Sequence, residues 1–219
     1  MVTAMAGDAS ETERLLQQAA QGDRESWGAL LTRHRGRLKC MVALRLDRRL
    51  QGRIDPSDVI QEAFLDATNQ LADYQRQPNM PFFLWLRLIT GQKLVALHRH
   101  HLGTQARDAG REVSLYRGSL PETSSAALAA QLLGHETRPS EAAIRAERAI
   151  RLQEALNRMD ALDREVLALR HFELLSNAET AQVLEIQESA ASKRYVRALK
   201  RPKEILKSMP GSPESSHHE

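Results

Sequence analysis

A helix-turn-helix is predicted by residues 176–199, which read SNAETAQVLEIQESAASKRYVRAL. Ser176 and Glu179 have the spacing of a capping box, in which the Ser hydroxyl and the Glu carboxylate each satisfy a backbone N–H at a helix start. A short helix of small and apolar residues follows, and a turn at 185–187 separates it from a second helix. Ala191, Tyr195 and Leu199 recur at every fourth position of that second helix, which indicates one buried face.

The chain is acidic before the second helix of this motif and basic along it. Residues 154–188 contain three Arg against eight Asp or Glu, whereas residues 193–207 contain seven Lys or Arg against one Glu. A short helix, a turn and a basic second helix are typical of the motif whose second helix enters the DNA major groove. Basic helix ends also favour the helix macrodipole, and a run of charge is often only a solvated face. The pattern therefore predicts DNA binding but does not prove it.

Composition excludes several classes of protein. The 219 residues carry a net charge of +3, with 27% charged residues, which suits one or two small domains and a limited or conditional DNA affinity. The single cysteine, Cys40, excludes an internal disulfide and a Cys-rich zinc site. No apolar run approaches the roughly 20 residues that span a bilayer. The N-terminus lacks the pattern of a secretory signal, so we expect a cytoplasmic protein that does not associate with membranes.

Helical periodicity accounts for most of the chain, and strand signals are scarce. We predict an all-α protein with two small helical domains, an N-terminal helical bundle at 11–102 and a C-terminal helix-turn-helix domain at 140–208. Asp55 and Pro56 are expected to start one helix as N-cap and first helical residue. Residues 103–139 are predicted to be a long linker with a weak helical patch at 126–133. Residues 1–10 and 209–219 are predicted to be disordered.

Two motifs in this order resemble one family. The N-terminal motif, DVIQEAFL, runs from Asp58 to Leu65 and is followed by Phe82, Trp85 and Leu86. The C-terminal motif, LDREVL, begins at Leu162 and leads through RHFE at 170–173 to the helix-turn-helix. The chain resembles bacterial RNA polymerase sigma factors of the sigma-70 family, and in particular the two-domain, extracytoplasmic-function type, over about 11–102 and 141–207. The resemblance implies a transcription initiation factor that is not an enzyme and uses no cofactor.

The same resemblance implies roles for three groups of residues. Binding to the clamp of the largest polymerase subunit is expected of Asp58, Gln61, Glu62 and Leu65, although Asp58 could equally serve as a helix cap. Melting of the minus-ten element is expected of Arg87, Gln92, Lys93, His98 and Arg99. Recognition of the minus-thirty-five element is expected of Glu188, Ser189, Ser192, Lys193, Arg194, Arg197, Lys200 and Arg201. Among these, Lys93, Arg99, Arg194, Lys200 and Arg201 suit phosphate contacts, which position a protein on DNA without reading its sequence.

The implied partners are RNA polymerase core, through its clamp and flap, and promoter DNA in double- and single-stranded form. An anti-sigma factor is a further candidate partner. Phe82, Trp85 and Leu86 are expected in the core rather than stacked on bases.

Several residues depart from the family pattern. Glu185 replaces the usual turn glycine, which implies a turn with no strict need for a positive φ. Pro202 stands where most members carry Leu, which implies a kink or a break in the last helix. Many members carry an Asn near Lys93 and an Asp near Ala96, and this chain has neither. The promoter preference of this protein therefore stays open.

Two other functions stay open at this stage. A stand-alone helix-turn-helix regulator would act without polymerase core, but it requires an upstream receiver or ligand domain that 11–101 does not resemble. A metal-dependent hydrolase would use His98, His100, His101 and Asp108. No acidic or Cys ligand with matching spacing lies near these histidines, so no metal site is predicted.

Overall fold

The computed structural model describes residues 2–102, 120–134 and 142–207. These described residues form nine α-helices and one π-helical turn, and they contain no β-strand. The all-α prediction is therefore confirmed. The chain divides into two compact units, Met1–Val42 with Arg48–Ala109 and Ala43–Asp47 with Gly110–Glu219.

The first unit is built on four helices: α1 Val2–Ala20, α2 Arg24–Arg45, α3 Pro56–Arg76 and α4 Phe82–Leu102. The last three residues of α2, 43–45, belong to the second unit. Helix α1 begins at Val2, inside the stretch 1–10 for which the sequence predicts disorder. It ends before Gly22, which adopts a positive φ of 89°.

Helix α3 starts as the sequence predicts. The Asp55 carboxylate accepts a hydrogen bond of 2.7 Å from the Ser57 backbone N–H, and Pro56 occupies the first turn. Pro fits there because the N–H that it lacks has no helical partner in the first turn. Phe82 and Trp85 of α4 are buried together with Leu86, and Trp85 stacks on Tyr74 with ring centroids 4.6 Å apart. These aromatic residues belong to the core, as predicted.

The second unit contains five further helices: α5 Ser125–Leu133, α6 Ala142–Asn157, α7 Ala161–Leu167, α8 Asn177–Leu184 and α9 Glu188–Lys207. The π-helical turn Ala168–Phe172 follows α7 directly. Helix α5 lies in the stretch 103–139, for which the sequence predicts a linker. Its residues Leu128 and Ala129 are buried in one core with Leu152, Leu156 and Ala198. This segment is short and weakly periodic, so its helix owes its stability to packing rather than to propensity.

A buried cation also belongs to the second unit, which includes the short segment Ala43–Asp47. The Arg45 guanidinium is fully buried and donates to the carboxylates of Glu165 and Glu173. Thr123 Oγ1 donates a hydrogen bond of 2.6 Å to the other oxygen of Glu165. Burial alone would lower the pKa of Arg45, but the two carboxylates outweigh it and raise that pKa. The charge is therefore retained because both counterions are within contact distance.

Candidate polymerase and nucleic-acid interfaces

The helix-turn-helix begins at the predicted capping box. The Glu179 backbone N–H donates to Ser176 Oγ at 3.1 Å, and the Ser176 backbone N–H donates to Glu179 Oε2 at 2.7 Å. The Asn177 side chain then donates a hydrogen bond of 2.9 Å to the backbone carbonyl of Glu188, at the start of α9. This bond ties the first residue of α8 to the first residue of α9. The capping box thus sets the start of α8, and the amide of Asn177 helps to set the position of the basic helix.

The turn between α8 and α9 differs from the expectation. Glu185 adopts the left-handed conformation, with φ 53° and ψ 44°. The Ile186 N–H donates to the carbonyl of Ala181 at 3.0 Å, and the Glu185 N–H donates to that of Gln182 at 3.3 Å. This pair of bonds is the Schellman arrangement, which requires a left-handed residue at this position whatever its side chain. The prediction that Glu185 removes the need for a positive φ is therefore wrong.

The sequence predicts a kink or a break at Pro202, and the helix does not break there. Helix α9 continues through Pro202 to Lys207. Proline removes one backbone donor but does not forbid a helix when packing favours it. Ala191, Ala198 and Pro202 share one face of α9, and all three are buried. Pro202 extends the apolar stripe that holds this helix against its unit.

The opposite side of α9 carries the residues predicted to meet the minus-thirty-five element. The exposed members of this group are Glu188, Ser189, Ser192, Lys193, Arg197 and Lys200. Arg194 is partly buried, and the side chain of Arg201 lies outside the described residues. Because α9 buries one face, its exposed face is free of the core and open to a ligand.

Two of these arginines have an anionic partner that the sequence analysis missed. Arg197 donates from Nε and Nη2 to the two carboxylate oxygens of Asp163, at 2.6 and 2.8 Å. Arg194 Nη1 donates to Asp163 at 2.6 Å and to Asp160 at 3.3 Å. Burial by itself would raise the pKa of Asp163, but the guanidinium groups of Arg197 and Arg194 outweigh it, and the pKa is lowered.

The position of Asp163 explains this arrangement. Asp163 is only 3% exposed, whereas the Arg197 side chain is 64% exposed. The carboxylate therefore holds the inner edge of a guanidinium whose remainder faces solvent. Asp163 lies within the LDREVL motif of α7, whereas Arg194 and Arg197 lie in α9, 31 and 34 residues later. Rules based on local sequence spacing do not relate residues this far apart.

The predicted polymerase-binding residues form one exposed face of α3. Asp58, Gln61, Glu62 and Leu65 are all exposed, and their spacing of three, four and seven residues places them together along the helix. Leu65 is 67% exposed, which is unusual for a large apolar side chain beside carboxylates. The opposite face of α3 is buried through Val59, Ile60, Ala63 and Ala67.

The predicted minus-ten residues of α4 differ widely in exposure. Gln92 and Arg99 are exposed, and Lys93 and His98 are partly buried. Lys93 Nζ lies 2.8 Å from the Asp66 carboxylate of α3. Arg87 is only 2% exposed, so its side chain belongs to the interior of the first unit. Of the predicted minus-ten residues, only Gln92, Lys93, His98 and Arg99 therefore reach the surface of α4.

The described residues contain neither a metal-binding cluster nor a membrane-spanning helix. Within residues 2–102, 120–134 and 142–207, no three His, Cys, Asp or Glu side chains come close enough together to hold a metal ion. Asp108 lies outside these ranges. No helix among them has the length and apolar character needed to cross a membrane.

Comparison with known proteins relates this geometry to a family. Residues 149–201, which include α7, α8 and most of α9, match the model described as Sigma-70, region 4. This part of the chain is therefore similar to region 4 of the sigma-70 family. The resemblance on which the sequence analysis relied is confirmed.

A solved structure agrees with this assignment at the level of the fold. The structure of CnrH in complex with the cytosolic domain of CnrY resembles this chain with a TM-score of 0.51 and 24% sequence identity. The match covers 90% of this chain and 97% of CnrH, so the likeness of fold extends over both units. No curated protein matches the sequence.

Proposed function

We propose that this protein is a sigma-70 family transcription initiation factor of the extracytoplasmic-function type, which binds RNA polymerase core and directs it to specific promoters. The observation that carries the proposal is the region 4 match over a helix-turn-helix whose second helix exposes a basic face. Such a helix is suited to the major groove, where side chains meet base edges and phosphates. The protein would supply DNA recognition and capture, while polymerase supplies the chemistry.

Polymerase binding is assigned to the exposed face of α3. Carboxylates at Asp58 and Glu62 complement a basic partner surface, which gives specificity more than affinity. Leu65 adds an exposed apolar side chain at the C-terminal end of this face, and an apolar side chain that is desolvated in an interface can contribute much of the binding energy. A face that combines these features fits a protein partner better than it fits DNA, because carboxylates repel phosphates.

Recognition of the minus-ten element is assigned to the end of α4. Lys93 and Arg99 would hold phosphates of the opened strand, and Gln92 would meet a base edge. Once polymerase keeps the duplex in place, cationic side chains and captured bases stabilise the melted strand.

Recognition of the minus-thirty-five element is assigned to α9. Ser189, Ser192 and Lys193 lie in its first turns, which enter deepest into the groove in helix-turn-helix proteins. Arg194 and Arg197 would reach phosphates while keeping their bonds to Asp163. Lys200 and Arg201 lie further along the helix, where backbone contacts are expected.

An anti-sigma factor is proposed as a further protein partner. CnrH is seen in complex with the cytosolic domain of CnrY, and the two folds are alike over most of both chains. We also propose that the protein acts in the cytoplasm, where polymerase and promoter DNA are found.

Run-off transcription with purified core polymerase on genomic DNA fragments tests this function. Wild-type protein should produce discrete transcripts that core alone does not produce. Lys193→Ala with Arg197→Ala should lower promoter-specific transcription at least about tenfold, since each lost phosphate or base contact weakens binding by about 1–3 kcal/mol. Co-purification with core should not change. The matched control, Arg151→Ala on α6 with Arg158→Ala just after its last residue, changes two exposed arginines and should transcribe normally.

A second pair of variants tests the polymerase face. Glu62→Lys should weaken co-purification with core, whereas Asp73→Lys, which makes the same charge change near the other end of α3, should not. Equal effects of the two would contradict the assignment of this face. Specific operator binding without core, together with no transcription in its presence, would instead establish a stand-alone regulator.

A further inference from the structure

One ion pair of the first unit joins two surfaces to which the proposed function gives different ligands. Lys93 Nζ of α4 lies 2.8 Å from Asp66 Oδ2 of α3. Asp66 follows Leu65 and lies one helical turn after Glu62, at the edge of the face assigned to polymerase. Lys93 follows Gln92 on the surface assigned to the melted strand. The pair thus connects the protein-binding face to the DNA-binding face.

The exposure of this pair makes it exchangeable. The side chain of Lys93 is 28% exposed and that of Asp66 is 37% exposed. An ion pair with this much access to solvent contributes little to stability, so a competing charge can replace either partner. A DNA phosphate that takes Lys93 must displace Asp66, and a cation that takes Asp66 must displace Lys93.

These two exchanges are linked by thermodynamics. Any ligand that removes Asp66 from Lys93 lowers the cost of a phosphate contact at Lys93, and the reverse effect has the same size. The polymerase surface that complements Asp58 and Glu62 must be basic, and Asp66 lies within one turn of Glu62. A basic side chain of that surface is therefore positioned to take Asp66 as well.

We propose that Asp66 occupies Lys93 in the free protein and that polymerase core releases Lys93 to DNA by taking Asp66. This inference rests on the proposed function and adds a regulatory step to it. The free factor would hold single strands weakly, and the cation would become available only in the assembled enzyme. Asp66 acts here through Lys93 and is a positioning residue.

A double-mutant cycle in the full-length protein tests this step. The variants are Asp66→Asn, Lys93→Gln and the two together, and the probe is a fluorescein-labelled 15-nucleotide oligo-dT measured by anisotropy over a range of salt concentrations. Asp66→Asn should bind about fivefold more tightly than wild type, on the scale of one partly exposed ion pair. Its salt dependence should be steeper by about 0.7, as expected for one added phosphate contact on a single strand. In the Lys93→Gln background, Asp66→Asn should give no gain.

Controls separate this mechanism from a general change of charge. Asp73→Asn removes a carboxylate of the same helix that pairs with Arg76 on the surface, and it should change affinity less than twofold. A gain from Asp66→Asn that persists in the Lys93→Gln background, or no gain at all, would overturn the proposal. Matching circular dichroism melts of the variants exclude misfolding as the cause.

The assembled enzyme provides the second readout. Reconstituted with core, the wild type and Asp66→Asn should hold the same oligonucleotide with equal affinity, since core has already displaced Asp66 from Lys93. A fivefold difference that survives in the holoenzyme would refute the release step. Run-off transcription by the wild type distinguishes the two possible failures. If no transcript forms, the proposed function is wrong. If transcripts form but the double-mutant cycle shows no coupling between Asp66 and Lys93, only this inference is wrong.

Discussion

Glu185→Gly tests the left-handed turn that orients the basic helix. Glu185 has φ 53° and ψ 44°, and an L-residue in this conformation costs about 1–2 kcal/mol because its Cβ crowds the following carbonyl. Glycine lacks that cost but loses about 0.5–1 kcal/mol more backbone entropy on folding. Because the Glu185 side chain is exposed, its removal loses little packing. The second unit should therefore gain about 0.5–1 kcal/mol in its free energy of unfolding.

Two further variants isolate the backbone contribution. Glu185→Gln removes the charge and keeps the Cβ, and Glu185→Ala removes the rest of the side chain and also keeps the Cβ. Both should remain within about 0.5 kcal/mol of wild type, as is usual for exposed positions. Urea denaturation of the full chain gives the free energy, and hydrogen exchange of peptides from α8 and α9 shows which unit has changed.

The outcome that contradicts this explanation is specific. If Gly is no more stable than Ala, residue 185 is not held in a left-handed conformation. If Gln alone reproduces the gain, the effect belongs to the carboxylate and not to the backbone. Slower exchange confined to the amides of α8 and α9 in the Gly variant supports the turn.

Four other substitutions have expected effects on stability or on binding to core polymerase. Ser176→Ala should cost the second unit about 1 kcal/mol, because the α8 cap loses its acceptor; unchanged urea stability would contradict the capping box. The pKa of Asp163 is lowered in the folded protein, so the stability it contributes is present above its unfolded pKa of about 3.9 and is lost as pH falls through the lower, folded-state pKa. Acid titration should therefore destabilise wild type more than Asp163→Asn, and parallel titrations would refute this. Ile60→Ala should cost the first unit about 2–5 kcal/mol because Ile60 is fully buried. Leu65→Ala should leave stability within about 0.5 kcal/mol and weaken co-purification with core; equal losses of stability would contradict the two faces of α3.

Local rules account for what the sequence predicted well. A capping box depends on residues three apart, so Ser176 and Glu179 specified the start of α8 without knowledge of the rest of the chain. Asp55 and Pro56 specified the start of α3 in the same way. The apolar spacing of Phe82 and its neighbours identified a core face, because helical periodicity converts position in the sequence into position around an axis.

By itself, the sequence determined the helical class, the resemblance to region 4 of sigma-70 factors and the starts of α3 and α8, since each depends on neighbouring residues or on motif order. Only the tertiary structure decided that Asp163 holds Arg197, that Asp66 holds Lys93 and that Arg87 is buried. These facts join residues far apart in the chain, and no spacing rule relates charges on different helices. Glu185 shows the same limit within a turn, because the hydrogen bonds that end a helix imposed a conformation that its side chain alone disfavours.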